Sequence, residues 1–441
     1  MTFSEKVIDT IKKYDMLNCG ENVTVGLSGG ADSVSLLLVL CEIREILKIG
    51  SISAAHINHM IRGADADRDM RFVGELCGKT GVKLYTLKKD VTQYARINKC
   101  SLEDAGRRVR YEFFSEVTEK ENSCLATAHT KNDNSENFFI SALRGTRISG
   151  IPPIRDNIIR PLINVTKDEI YEYLKEKNQD FCVDETNFSD DYFRNKIRLK
   201  LIPYINENFS VDIADTLESS LDVMYREDSF LKKLAKDFIK MSCVFKNGSI
   251  SVKTDEFNKL DIALKRRVIR MLYYAVCLRG YISHIHADSV IKLSNDGKTG
   301  KRITLNADVI AEISYGNLVL RKNIKKSDFC IRLNVNESIC INGINENMNL
   351  TLSDTRKSGN KAHYFLTDDS TFTVRRRKNG DKLFIKGVGH KKLSDFLTDR
   401  KIPEYLRDFL PVTEDSKGIC SVGNIYFRKA DGKNTVYVNL I

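Results

Sequence analysis

Six consecutive residues, Ser28-Gly29-Gly30-Ala31-Asp32-Ser33, combine hydroxyls, two glycines and one acid where a strand pattern gives way to a helix pattern. Val23, Val25 and Leu27 alternate ahead of them, and Val34 to Leu40 is an apolar stretch of helical length behind. Gly29 and Gly30 let the backbone turn sharply and approach a ligand closely. A helix start behind a glycine turn offers free N–H groups and the positive end of a dipole, which suits phosphate. No Gly-Lys-Ser/Thr follows, so this is not a Walker loop. Asp32 stands where such loops carry lysine, and an acid beside phosphates makes sense with a cation such as Mg²⁺ between them. The bland alternative is a strand–turn–helix whose small residues serve packing. The intact hexapeptide in this position favours phosphate.

Three further groups have the types and spacing for chemistry at such a site. His56-Ile57-Asn58-His59 follows a strand pattern, with Arg62 after it. The histidines can meet a nucleotide and Arg62 a phosphate; a structural histidine pair is the alternative, and no further metal ligand is nearby. Arg107 and Arg110 lie three apart in a helix pattern and therefore on one face, where two guanidinium groups suit a polyphosphate or developing negative charge. A solvated basic face paired with Glu103 and Glu112 is the plainer reading. His129 ends another strand, and Asp133 and Glu136 share a face of the helix that follows. Two carboxylates there can hold Mg²⁺ or a cationic substrate, or can simply favour the helix N-terminus.

These residues need a scaffold that gathers strand ends. Strand patterns at Ile52–Ile57, Val82–Leu87 and Cys124–Ala128 alternate with helix patterns at Ala64–Lys79, Ser101–Lys120 and Asp133–Leu143. Repeated βα units predict an α/β domain with a parallel sheet covered by helices on both faces, and ligands bind at the carboxyl ends of such strands. The Ser28 loop, His56 and His129 all fall there. Thr166-Lys167-Asp168-Glu169 is a capping box, and Phe193, Ile197 and Leu201 form a stripe with Arg194 and Arg198 on an adjoining face. Helical patterns then run to about Leu278 and give way to strands near Ile303–Leu305 and Leu318–Leu320. Arg321–Lys326 is a hinge candidate, and short strands with a helix near Lys392–Leu397 complete the chain. Three domains are expected: 1–205, 206–325 and 326–441.

With 441 residues the chain is long for one core, and 70 Lys+Arg against 59 Asp+Glu give a net charge of +11. Thr371 to Lys401 holds ten Lys or Arg against three Asp or Glu, a net of +7, which points to a polyanion such as nucleic acid. The 11 cysteines are scattered singly, without Cys-x-x-Cys, so neither a zinc site nor a redox pair is expected. The odd count and the lack of a secretion signal predict reduced thiols in a cytoplasm. Val34–Cys41, the longest apolar run, is too short to span a bilayer.

Together these pieces resemble the tRNA(Ile)-lysidine synthases, which share a pyrophosphatase-type loop with other ATP-cleaving ligases and thiolases. The resemblance rests on Ser28–Ser33, His56-x-x-His59 with Arg62, Glu103–Tyr111, His129 with Asp133 and Glu136, and Arg144-Gly145-Thr146. It continues through Arg160-Pro161-Leu162, Asp184–Asn187, Arg194-Asn195-x-Ile197-Arg198 and Pro203, and includes the terminal stretch Arg375–Pro411. Asn137 and Arg147 depart from the usual threonine and small residue, which bears on local loop shape. The resemblance implies an adenine nucleotide alpha hydrolase-like first domain, a mainly helical middle domain and a small α+β C-terminal domain. It implies ligation of L-lysine to the wobble cytidine of a CAU-anticodon isoleucine tRNA, through an adenylated base, with release of AMP and pyrophosphate. ATP would lie on Ser28, Gly29, Gly30, Ala31, Asp32 and Ser33, with His56, Arg62 and His129 nearby. Asp32 and Asp133 would hold Mg²⁺. Asp32, Arg107, Arg110, Asp133 and Glu136 would form the catalytic group, and Arg375–Lys378, Lys391 and Lys392 would grip tRNA phosphates. The oligomeric state is left open, a homodimer included. The alternatives are a tRNA thiolase, disfavoured by the unpaired cysteines, and a non-catalytic RNA-binding protein, disfavoured by the intact acids. A glutamine-dependent synthetase is disfavoured by Thr2 where one glutaminase type has its cysteine nucleophile.

Overall fold

A computed structural model describes residues 1–61, 63–146, 148–183, 193–246, 248–277, 282–306, 309–323, 328–342, 347–355, 363–429 and 432–440. Arg62, Arg147 and Asp184–Asn187 lie outside the described residues. The chain forms two compact units, Met1–Ser229 and Phe230–Ile441.

The first unit carries the order α1 (Phe3–Lys13), β1 (Asn22–Gly26), α2 (Ala31–Glu42), α3 (Arg44–Leu47), β2 (Ile52–Asn58), α4 (Ala64–Thr80) and β3 (Lys83–Lys88). It continues with α5 (Val91–Asn98), α6 (Leu102–Glu121), β4 (Ser123–Ala126), α7 (Lys131–Leu143), β5 (Ile154–Arg155), β6 (Ile158–Ile159) and α8 (Lys167–Glu176). The strands form one sheet in the order β3-β2-β1-β4-β6-β5, parallel except for the β5–β6 hairpin. Alternate strand residues feed two cores, as the two-residue period demands. Val23, Val25, Ala54, Cys124 and Ala126 pack with α1, α2 and α8, whereas Ala55 and Leu125 pack with Phe113, Phe114 and Val117 of α6. The predicted two-faced parallel sheet is thus observed. Gly26 belongs to the α6 face, where a Cβ would sit 3.1 Å from the Phe114 ring. The chain runs from β1 to β2 on one side and later returns to β4 on the other. That reversal opens a crevice at the carboxyl ends of β1 and β4.

After α8 come α9 (Phe193–Lys196), a π turn at Ile197–Leu201, α10 (Ile202–Phe209) and α11 (Ile213–Ser242), whose span contains the division between the units. Pro203 supplies no N–H to the α ladder, and Ile202 bonds instead to the Ile197 carbonyl five residues back.

In the second unit β7 (Cys243–Lys246) and β8 (Ser249–Lys253) interrupt what the sequence suggested was a helical stretch. They join β9 (Arg302–Asn306), β10 (Val309–Ser314) and β11 (Asn317–Lys322) in an antiparallel sheet over α12 (Thr254–Asn258), α13 (Ile262–Cys277) and α14 (His284–Asp296). The Arg321 hinge expectation needs correction. Arg321 and Lys322 belong to β11, and Arg321 is buried against Glu312 at 3.0 Å; an ion pair inside a sheet makes a poor hinge. Residues 324–326 lie outside the described residues. Beyond them the chain is mostly short antiparallel strands, with helices at Leu393–Asp399 and Glu404–Arg407. No described helix is long and apolar enough to cross a membrane.

Candidate active site

The glycine turn follows β1 as the sequence implies. Gly29 has φ 96°, a conformation that strains any L side chain, and a Cβ there would meet Cys182 Sγ at 3.3 Å and Val73 at 3.4 Å. Gly30 begins α2 without a side-chain cap. Ser33 ties the loop to itself: its Oγ accepts from the amides of Ser28 (3.1 Å) and Gly29 (3.2 Å) and lies 3.0 Å from the Gly30 carbonyl. Two of the amides expected to meet phosphate are therefore held by Ser33. The Cys182 amide donates to the Gly29 carbonyl at 2.9 Å and holds the 181–183 segment against the turn. His56 supports the loop from beneath. It is 4% exposed, its Nδ1 lies 2.8 Å from the Leu27 carbonyl, and its Nε2 has no hydrogen-bond partner among the described residues. Burial holds its pKa below the usual histidine range.

Across the crevice, α7 begins with a capping box. Thr130 is fully buried, and its amide and hydroxyl both donate to Asp133 Oδ2 at 2.9 Å. Asp133 Oδ1 accepts from Arg194 Nη2 at 2.6 Å. Glu136, only 1% exposed, accepts from Arg194 Nε at 2.6 Å and Arg198 Nε at 2.5 Å. Burial alone would raise the Asp133 pKa, but Arg194 and the Thr130 amide hold it below the usual range. The acid pair anticipated from sequence is real, and its present partners are two arginines. The Arg-x-x-x-Arg spacing was visible at 194 and 198, but it did not say which acids they would meet. The π turn places Arg198 beside Arg194 on this pair.

Asp32 is half-buried on the first turn of α2. Its carboxylate makes no hydrogen bond among the described residues. Burial, with the nearby Asp133 and Glu136 charges, raises its pKa against the opposing pull of Lys167 and Arg198. Three carboxylates therefore share one small region. Among the described residues no group of three or more His, Cys, Asp or Glu is arranged to hold a metal on its own. Mg²⁺ commonly takes one or two carboxylates and completes its shell with water and substrate phosphates, and an all-oxygen donor set of Asp32 with Asp133 fits that habit.

His129 has Asp133 and the guanidinium groups of Arg160, Arg194 and Arg110 nearby. Its Nδ1 is 3.0 Å from Thr127 Oγ1. Burial, with Arg160, Arg194 and Arg110 nearby, lowers its pKa to about 4, against the opposing effect of Asp133. Arg107 is exposed, with its guanidinium 5.7 Å from the Tyr111 ring centre. Arg110 is exposed on the next turn. Arg160, buried at 4%, donates to the Pro152 carbonyl at 2.6 Å and was not singled out from sequence as a site residue. Two asparagines of α7 shape the neighbouring loop: Asn134 accepts from the Ile151 amide at 2.6 Å and Asn137 donates to the Ser149 carbonyl at 3.0 Å. Asn137, the departure from the usual threonine, thus pins the backbone at Ser149.

The C-terminal basic stretch requires a correction. Arg375 is 5% exposed and bonds to Asp381 and Glu414. Arg376, 8% exposed, lies between the Phe329 and Phe409 rings at 5.3 and 5.2 Å and donates to the Asp408 carbonyl. Arg377 pairs with Asp408, and Lys391 with Asp399. Arg375 and Arg376 therefore hold the domain together instead of facing phosphates, because acids distant in sequence and ring faces enclose them.

A strand, a glycine turn and an acid-bearing helix at the switch point of a parallel sheet define the PP-loop class of ATP-binding domains. Residues 3–205 match the PP-loop domain family, and residues 372–438 match the TilS substrate C-terminal domain family. A tRNA(Ile)-lysidine synthase of Caldanaerobacter subterraneus subsp. tengcongensis is 34% identical over 431 residues, covering 94% of this chain and 91% of that protein. One from Clostridium perfringens is 36% identical, with 92% of each chain covered. The chain belongs to the tRNA(Ile)-lysidine synthase family. A bifunctional protein TilS/HprT of Listeria monocytogenes is 30% identical, covering 94% of this chain and 66% of that protein.

Proposed function

We propose that this protein is an ATP-dependent ligase that forms lysidine on tRNA(Ile) by joining L-lysine to the wobble cytidine of the CAU anticodon. The observation that carries the residue assignment is the Asp32 carboxylate, unpaired among the described residues and sharing its surroundings with Asp133 and Glu136. The cytosine carbonyl oxygen attacks the α-phosphorus of ATP; the new O–P bond forms as the bond to the β-phosphate bridging oxygen breaks, and pyrophosphate leaves. The ε-amine of lysine then attacks the same ring carbon. A C–N bond forms, the C–O bond breaks, AMP leaves and the amine gives up its proton.

Residues 1–205 are assigned the ATP chemistry, and 206–325 and 326–441 the grip on tRNA. The Ser28–Ser33 backbone receives the pyrophosphate portion of ATP, with the helix start behind it contributing its dipole. Asp32 and Asp133 would hold Mg²⁺, which when bound offsets phosphate charge. Arg107 and Arg110 are assigned to charge developing near the adenylate, and neutral His129 to the nucleotide side of the crevice. Glu136 orients the lysine amine, exchanging a guanidinium for it. His56 acts by positioning, because it is buried beneath the loop. A base in an anticodon loop is unpaired, so presenting it costs little. Thiolation is the less favoured reading: the cysteines are scattered singly, and the relatives named above that carry a single activity are lysidine synthases. The test is AMP release from ATP with tRNA, with and without lysine. Asp32→Ala should abolish AMP formation and leave tRNA binding near wild type; normal turnover in that variant overturns the assignment.

A further inference from the structure

The hairpin of Lys382–Ile385 and Gly389–Lys392 lies in the second unit, within the region assigned to gripping tRNA. Its cross-strand pairs are Lys382 with Lys392, Leu383 with Lys391, and Phe384 with His390. Directly paired residues share a face, and alternate residues along a strand return to it. Lys382, Phe384, His390 and Lys392 therefore occupy one face, and all four are exposed. Leu383, on the other face, is fully buried in a core with Leu393, Phe396 and Leu397. The hairpin is also anchored along its backbone. Tyr426 donates its hydroxyl to the Phe384 carbonyl at 2.6 Å, and the Leu393 amide donates to the Asp381 carbonyl at 2.8 Å.

The exposed face is unusual in its chemistry. The Phe384 and His390 rings lie edge to face with centres 5.7 Å apart, and Phe384 is 36% exposed. Lys382 and Lys392 lie beside them, and Lys386 stands at the exposed turn with Val388, which is 73% exposed. None of these three lysines pairs with an acid among the described residues, unlike Lys391. An accessible ring on a rigid strand, rimmed by free cations, matches an unpaired nucleotide: the base stacks on the ring and flanking phosphates meet the lysines.

We infer that this hairpin face is a stacking platform for an unpaired base of the bound RNA, with Phe384 as the stacking surface and Lys382, Lys386 and Lys392 as phosphate contacts. The inference rests on tRNA being the substrate and adds a base contact to the tRNA grip assigned to residues 326–441.

The chain contains no tryptophan, so Phe384→Trp installs a single fluorophore at the platform. Titrating the full-length variant with a short single-stranded RNA should quench its emission, and a blunt RNA duplex should quench it much less. No quenching by the single strand, or equal quenching by the duplex, overturns the proposal. Phe384→Ala and Phe384→Leu should each weaken tRNA binding about tenfold, and Phe384→Tyr should bind nearly as wild type. The leucine variant preserves apolar bulk, so its loss separates stacking from folding. Replacing Lys382 and Lys392 by Gln should lower the salt dependence of binding by about 1.4 to 1.8 in log–log slope, roughly 0.7 to 0.9 for each phosphate contact. Unchanged tRNA affinity in Phe384→Ala overturns the platform. Absence of tRNA-dependent AMP release from the wild-type protein instead overturns the ligase assignment, and the quenching result stands apart from it.

Discussion

In the proposed site, burial and neighbouring charges shift Asp32, Asp133 and His129 away from their ordinary proton affinities. Arg194 and the Thr130 amide hold the Asp133 carboxyl below its usual range, and both Asp133 and Glu136 are engaged by guanidinium groups, so under the proposed function the lysine amine would find them occupied. Binding must then trade one cation for another in a desolvated setting, where an unpaired carboxylate is costly. His129 works in the opposite sense. The unfolded chain protonates this imidazole near pH 6.5, whereas the folded protein does so only near pH 4. Between those values the unfolded state binds more protons, so this residue's contribution is complete above about pH 6.5 and is lost as pH falls toward 4. His129→Gln should flatten the pH dependence of stability of the first unit in that window. Urea unfolding at pH 7 and pH 5 checks this, and an unaltered difference between the two would contradict it.

At the scale of elements, two parts of the site sit where a backbone rule is bent. Gly29 takes a left-handed conformation at the end of β1, and the π turn replaces regular helix before Pro203. The proline explains the turn, because the α-helical bond to the Leu199 carbonyl cannot form without its N–H. Pro203→Ala restores that donor and should draw Ile197–Leu201 toward regular α-helix. The expected result is a more stable helix with Arg198 displaced from Glu136, lowering AMP formation by about ten- to a hundredfold. Thermal unfolding and steady-state rates measured on the same variant would expose the trade; a stabilised enzyme at full rate would show that the turn does not position Arg198.

Across the whole molecule, positive charge has two uses that composition cannot separate. The excess between Thr371 and Lys401 includes Arg375 and Arg376, which are internal, and Lys382, Lys386 and Lys392, which are displayed. Arg375 bridges strand Thr371–Arg375 to Asp381 and to Glu414 on the neighbouring strand. Arg375→Met should destabilise the C-terminal region by about 3–5 kcal/mol, since it strands buried acids. The salt dependence of tRNA binding, measured below the unfolding temperature, should not change. A reduced slope with unaltered stability would return Arg375 to the RNA surface.

Much of the fold was legible because its signals are local. Alternating apolar residues mark β1, short runs of small and apolar residues mark β2 and β4, and Thr166 with Glu169 forms the expected capping box. The helix between Thr130 and Leu143 and the glycine turn at Gly29 also lie where neighbouring residues dictate them. The β7–β8 hairpin falls inside a helical pattern in the sequence, although Asn247-Gly248 there is itself a hairpin signal. Partnership between distant charges was not legible. Arg194 and Arg198 reach Glu136 from 58 and 62 residues away, and Arg375 finds Glu414 across 39. The sequence alone determined the order of the βα units, the phosphate loop and the family, because these depend on residue type and near-neighbour spacing. Only the tertiary structure decided which cations are spent on internal acids and which remain free, because that depends on what the fold brings within hydrogen-bonding distance.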